Sequence, residues 1–225
     1  MEENSRTEFV LKDKTKLVEN CHIAILGLGG VGGYVLEMFT RMNVSKITVV
    51  DFDKFEESNL NRQILATIHT LNKDKTEIAK ERVKSINPNC IVNAKNILIN
   101  EDNVSEILNE KYDYVLDCID DVRAKIAVIK HCQKNNLPLL CAMGTGNRYR
   151  NPEFMVEDLF KTSYDGLARK LRTELKKDNF VGKVNVAFTK EKAEKTTALG
   201  SVVYYPLLCA GTMVSFVTNH LISKE

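Results

Sequence analysis

The run Gly27-Leu28-Gly29-Gly30-Val31-Gly32 constrains the fold of this chain more than any other feature. It follows an apolar stretch, Cys21–Leu26, that reads as a buried strand, and it opens a helical pattern continuing to about Arg41. Glycines at these positions permit a tight turn and let backbone N–H groups approach a phosphate. The helix N-terminus adds positive potential there. Such a strand, turn and helix begin a Rossmann-type nucleotide-binding half.

The following pattern extends that unit. Lys46–Asp51, Cys90–Lys95, Tyr112–Cys118 and Pro138–Ala142 read as strands. Helices alternate with them: one capped by Asn72 and stopped at Ile86-Asn87-Pro88, a short one over Asn103–Leu108, and one over Ala124–Asn135. Continuous apolar runs such as Ile47–Val50 mark strands covered on both faces. The expected class is therefore α/β, a doubly wound, mostly parallel sheet. After about Gly144 the pattern changes. A short strand at Phe154–Val156, an amphipathic helix at Leu167–Lys177 and a half-exposed strand at Lys183–Phe188 precede the polar loop Thr189–Leu199. Ser201–Tyr205 and Leu207–Ile222 read as a last strand and helix, and the late strands are expected to extend the sheet with antiparallel partners. At 225 residues the chain reads as a single domain over 1–225, with a Rossmann half (1–143) and an extension (144–225).

Composition removes several classes. With 44% hydrophobic and 28% charged residues the chain is globular rather than disordered. A net charge of +2 makes no global demand for nucleic acid, so any basic surface must be local. One stretch qualifies: residues 161–195 hold ten Lys or Arg against five Asp or Glu. Cys21, Cys90, Cys118, Cys132, Cys141 and Cys209 form no CxxC pair, which leaves a zinc ribbon unsupported. They read as small buried hydrophobes. Val202–Ile222 carries no Asp, Glu, Lys or Arg, but Pro206 interrupts it and polar residues mark both ends, so a buried segment explains it better than a membrane span. With no secretory pattern, the cytoplasm is the expected compartment.

The glycine turn alone does not choose between NAD and ATP. The residues after it do. Asp51-Phe52-Asp53 leads into Ser58-Asn59-Leu60-Asn61-Arg62-Gln63, Lys75 opens the next helix, and Asp120 follows the fourth strand. An open sheet brings such strand ends to one edge. ATP cleavage needs cations for the triphosphate, a role for Arg62 and Lys75, and a carboxylate for magnesium, a role for Asp120.

From Gly27 to Asp120 the chain resembles the superfamily of ubiquitin-activating enzymes and their bacterial relatives in molybdopterin and thiamine biosynthesis, whose ThiF-type domains adenylate a carboxylate. The resemblance implies ATP and Mg2+ as cofactors. It implies Gly27, Gly29, Gly30 and Gly32 around the nucleotide and Asp51 on the ribose, with Asp53 and Gln63 in the same site. It implies Asn59, Arg62 and Lys75 on the triphosphate and Asp120 on magnesium. It also implies a homodimer in which Arg6 of one protomer enters the active site of the other.

The two CxxC pairs usual in the molybdopterin and thiamine relatives are missing here. Met143-Gly144-Thr145-Gly146-Asn147-Arg148, Lys161-Thr162 with Leu167-Ala168-Arg169 and Arg172, and Gly200-Ser201 with Pro206 resemble instead the tRNA threonylcarbamoyladenosine dehydratase branch. That resemblance implies an ATP-dependent dehydration of threonylcarbamoyladenosine in tRNA to a cyclic form, through an acyl-adenylate. Arg148, Lys161, Arg169 and Arg172 are the expected substrate contacts. Sulfur-transfer partner proteins and peripheral membrane association stay open. The alternative is an adenylyltransferase acting on the C-terminal carboxylate of a ubiquitin-like sulfur carrier. One departure stands out. Some members of the branch carry a cysteine in the loop before the last strand, whereas Thr189–Leu199 has Thr196 and Thr197 and no cysteine, and the nearest substitute is Cys209.

Overall fold

The structure, a computed structural model, describes residues 5–150 and 152–223. Two short helices, α1 (Ser5–Leu11) and α2 (Thr15–Glu19), come first. Then follow β1 (His22–Leu26), α3 (Gly30–Arg41), β2 (Lys46–Asp51), α4 (Lys75–Ile86), β3 (Ile91–Asn96), α5 (Val104–Ile107), β4 (Tyr114–Asp117), α6 (Val122–Lys134) and β5 (Leu139–Ala142). The last third contributes β6 (Phe154–Asp158), α7 (Gly166–Lys177), β7 (Asn185–Thr189) and α8 (Tyr204–Ile222).

The seven strands form one sheet in the order β3-β2-β1-β4-β5-β7-β6. Successive side chains of a strand point to opposite faces. In β1, Ile23 and Ile25 accordingly pack with α3, α4 and α8, while Ala24 and Leu26 pack with α5 and α6. A third apolar cluster joins α6 and α7 to β7. The sheet is thus covered on both faces, as the continuous apolar runs require.

Three expectations need correction. First, the late strands do extend the sheet with an antiparallel pair, β6 on β7, but β7 itself runs parallel to its other partner, β5. The connection from β5 to β7 contains α7 and acts as a crossover, which permits a parallel partner. Second, Ser201–Tyr205 is not a strand, because α8 already begins at Tyr204. Its β-branched and aromatic residues suit a strand, but Pro206 falls in the first helical turn, where its missing N–H has no partner to lose. Third, the N-cap position of α4 is Asp74, whose side chain makes no capping hydrogen bond, rather than Asn72. Asn72 has φ +65° and turns the preceding loop, a conformation asparagine tolerates. Among the described residues no helix is long and apolar enough to cross a membrane.

Candidate active site

The C-terminal ends of β1, β2, β4 and β5 open into one cleft of about 700 Å³. Its floor is the glycine turn. Gly27 has φ +86°, and a Cβ there would stand 3.0 Å from the Cys118 carbonyl of the neighbouring strand end. At Gly32 a Cβ would lie 1.8 Å from the Gly27 oxygen. No side chain caps the N-terminus of α3, so its first N–H groups are left to a ligand.

Asp51 shapes this turn. One carboxylate oxygen accepts the Leu28 N–H at 2.5 Å and the other accepts the Asp53 N–H at 2.9 Å. Each oxygen keeps a further lone pair for a hydroxyl. Lys75, buried at the start of α4, donates to Asp53 at 3.1 Å, and the Asp53 side chain remains 49% exposed. Arg62 is braced by the Ser58 carbonyl at 2.8 Å and the Asn61 Oδ1 at 2.9 Å. Asn59 is buried and works locally: it accepts the Glu56 N–H at 3.2 Å and donates to Ser58. Gln63 is buried as well, with an Oε1 that has no partner. Asp120 is exposed on the cleft wall just after β4. The strand end that carries it is anchored from below, where Lys125 and Asp117, both fully buried, pair at 3.0 Å. Every nucleotide and magnesium residue expected from the sequence except Gly32 lines the cleft; Asp51, Asn59, Gln63 and Lys75 do so while buried, and Gly32 closes the turn beneath it.

The opposite wall corrects the sequence in detail. Arg148 lines the cleft but is buried, and its guanidinium is committed. It donates to the carbonyls of Gly144 (2.6 Å), Glu191 (2.8 Å) and Tyr164 (3.3 Å) and pairs with Asp165 at 3.3 Å. It therefore holds the loop after β5, with its charge already balanced, instead of presenting a free fork to a carboxylate. Asp165 also accepts the Gly144 N–H and caps α7 through the Ala168 N–H. Arg169 lies exposed on the cleft, but the Arg172 side chain donates to Leu159 and Thr162, so only Arg169 of the two lines the cleft. Lys161 lies outside the cleft, with its ammonium 3.9 Å from Glu157. Arg6, exposed on α1, lies outside the cleft of its own chain. Sequence reasoning missed Lys170, which lines the cleft beside Arg169, and Asp165. The alternation of charge along α7 resembled any solvated helix face.

The segment after β7 crosses the cleft and contributes Ala193, Leu199, Gly200 and Ser201. Asn147 clasps it, donating its N–H to the Gly200 carbonyl at 2.8 Å and accepting the Gly200 N–H at 2.6 Å. Asn61 donates to the Ser201 carbonyl at 3.0 Å. Pro206 of α8 then seats against Gly30, where a Cβ would meet it at 3.1 Å.

No thiol here is poised for attack. Burial pushes the Cys118 thiol well above its ordinary value and the Cys209 thiol up to about 12. A nucleophilic cysteine needs the opposite shift. Among the described residues no group of three or more His, Cys, Asp or Glu could hold a metal ion, and Asp120 is one of several carboxylates that line the cleft.

A family model described as the ThiF family matches residues 2–212. A tRNA threonylcarbamoyladenosine dehydratase of Haemophilus influenzae is 35% identical over 92% of this chain and 78% of its own length. Its namesake in Escherichia coli is 38% identical over 76% of this chain and 66% of its own length. The crystal structure of the Escherichia coli tRNA N6-threonylcarbamoyladenosine dehydratase in complex with ATP superposes with a TM-score of 0.94 at 33% identity, over 99% of this chain and 94% of that one.

Proposed function

Since this chain belongs to the ThiF family, we propose that it is an ATP-dependent tRNA threonylcarbamoyladenosine dehydratase. The observation that carries this is the single cleft. It joins the uncapped N-terminus of α3, Asp51, Arg62, Lys75 and Asp120 to a second wall with Arg169 and Lys170. One half suits a nucleoside triphosphate, the other an anionic substrate.

The chemistry follows from that juxtaposition. The substrate carboxylate attacks the α-phosphorus of ATP, forming an acyl-adenylate and releasing pyrophosphate. A carbamoyl atom of the same nucleoside attacks the activated carbonyl, closes a five-membered ring and expels AMP, for a net loss of water. Ring closure within one molecule gains from effective molarities on the order of 10⁵ M or more in favourable cases. No enzyme nucleophile is required, in keeping with the raised pKa of Cys118 and Cys209. In this scheme Arg62 and Lys75 bind the triphosphate and offset charge as pyrophosphate leaves. Asp51 holds the glycine turn and receives the ribose hydroxyls.

Magnesium fits the residues present. It commonly binds through one or two carboxylates plus substrate phosphates and waters, and Asp120 supplies one exposed carboxylate on the cleft wall. When bound, the ion neutralises phosphate charge at the reacting centre.

We also infer a homodimer. Arg6 cannot serve the cleft of its own chain from its place on α1, and Phe9 and Val10 of the same helix are about four-fifths exposed, 80% and 78%. A second copy would cover them and receive Arg6. Action in the cytoplasm, where tRNA is found, accompanies this assignment. The sulfur-carrier alternative is less supported, since the relatives matched over most of the chain carry the dehydratase name. The deciding experiment is release of AMP and pyrophosphate by the purified protein. tRNA carrying threonylcarbamoyladenosine should elicit both products, and unmodified tRNA should not. Equal release with the two, or none, overturns the assignment.

A further inference from the structure

Tyr164 immediately precedes Asp165, a residue of the cleft wall, and its own carbonyl belongs to the Arg148 network. Its backbone has φ +56°, the left-handed region that a bulky non-glycine side chain rarely occupies. The Arg148 guanidinium, donating to the Tyr164 carbonyl at 3.3 Å, helps hold it there. The strain secures no core packing, because the residue is 60% exposed. The Lys192 ammonium lies over the ring, 4.7 Å from its centroid. Lys192 precedes Ala193, and Arg169 and Lys170 follow on α7. All three of those neighbours line the cleft. A strained backbone thus holds a flat, exposed aromatic ring, backed by one cation, on a segment that leads directly into the wall of the cleft. Strain of this kind persists where the surroundings impose it, and it clusters at functional positions.

We propose that Tyr164 is a stacking platform for a nucleobase of the RNA substrate, next to the nucleotide whose carboxylate enters the cleft. The proposal rests on the dehydratase assignment. Unpaired bases in RNA loops are characteristically held by aromatic side chains, with cations nearby taking the phosphates. A cation over one ring face strengthens the platform and leaves the other face for a base. The net charge of the chain is only +2, so binding through general attraction is weak and local contacts must place the RNA.

The test separates the ring from the backbone. Asparagine tolerates positive φ, so Tyr164→Asn removes the ring while respecting the turn. Binding of a fluorescently labelled, unmodified anticodon stem-loop RNA is measured for the wild type, Tyr164→Asn, Tyr164→Phe and Lys192→Ala, alongside the rise in melting temperature given by ATP and Mg2+. Tyr164→Asn is expected to weaken RNA binding roughly 5- to 150-fold, the effect of losing one stacked base. Tyr164→Phe should bind within about twofold of wild type, and Lys192→Ala should fall between them. Stabilisation by ATP should be the same throughout. On modified tRNA the loss should appear in KM and leave kcat at saturation unchanged. RNA binding by Tyr164→Asn equal to wild type overturns the platform, as does a parallel loss of ATP stabilisation. A wild-type protein that binds the stem-loop yet forms no AMP with modified tRNA refutes the dehydratase assignment alone. One that binds no RNA refutes both.

Discussion

Arg148 and Asp165 form a buried ion pair, 3.3 Å apart, that ties the loop after β5 to the N-terminus of α7. The pair does not face solvent on either side, with side chains 3% and 0% exposed. Neutralising one member leaves the other charge buried without compensation. Asp165→Asn keeps the size of the side chain and is expected to cost up to about 3–5 kcal/mol of stability. Chemical denaturation measures this, and a loss below about 0.5 kcal/mol, the range of ordinary surface substitutions, refutes the coupling.

Asp120 and Asp121 are adjacent carboxylates with different tasks. Asp121 caps α6 through the Ala124 N–H at 2.8 Å, while Asp120 lies exposed in the cleft. Asp121→Ala should lower stability by about 0.5–2 kcal/mol. Asp120→Asn should leave the melting temperature unchanged and slow adenylation about 10²- to 10³-fold. Near-normal turnover by Asp120→Asn sinks its role with magnesium.

Arg6 and Lys75 should complement each other across the dimer. Arg6→Ala and Lys75→Ala homodimers are each expected to be inactive. Mixed and exchanged subunits should regain activity, because one of the two sites in each heterodimer recovers both residues. No recovery in verified heterodimers refutes an arginine acting in trans.

Glu37 on α3 accepts hydrogen bonds from Arg82 of α4 at 2.8 and 2.9 Å and from Arg41 at 2.8 Å. Burial alone would raise its pKa, but the two guanidinium partners outweigh that and hold it below the ordinary carboxylate value. A carboxyl depressed in the folded state stabilises above its unfolded pKa, and that contribution is lost as pH falls through the depressed value. Glu37→Gln should therefore destabilise by about 1.5–3 kcal/mol at neutral pH, and the gap to wild type should narrow with acid. A gap independent of pH between 7 and 3 refutes the electrostatic account.

The Rossmann half was legible because its determinants are local. Glycines at Gly27 and Gly32, Asp51 at a strand end and Lys75 at a helix start each carry their own backbone reason, and topology then gathers them. What lay after Gly144 was less legible. Ser201–Tyr205 has the side chains of a strand, yet α8 begins at Tyr204 with Pro206 in its first turn. Arg148 and Arg172 were both expected to meet the substrate and are both engaged within the chain, because nothing in their spacing shows that the one meets Asp165 and the other Thr162. Partners far apart in sequence decide whether an arginine is free. The helices α1 and α2, each no more than 7 residues long, are shorter than the window over which periodicity can be read and, unlike α5, do not lie between two strands of the alternating pattern.

Pro206 on Gly30 and Asn61 on the Ser201 carbonyl, a contact spanning 140 residues, also bear on how the protein is made. A chain emerging from the ribosome has its glycine turn, Asp51 and Lys75 in place long before α8 exists. Contacts of such sequence separation are slow to form, since loop closure must be completed before they reward it. The nucleotide floor is therefore assembled early, and the cleft gains its contacts from the Ser201 segment and α8 only after these have been synthesised and docked.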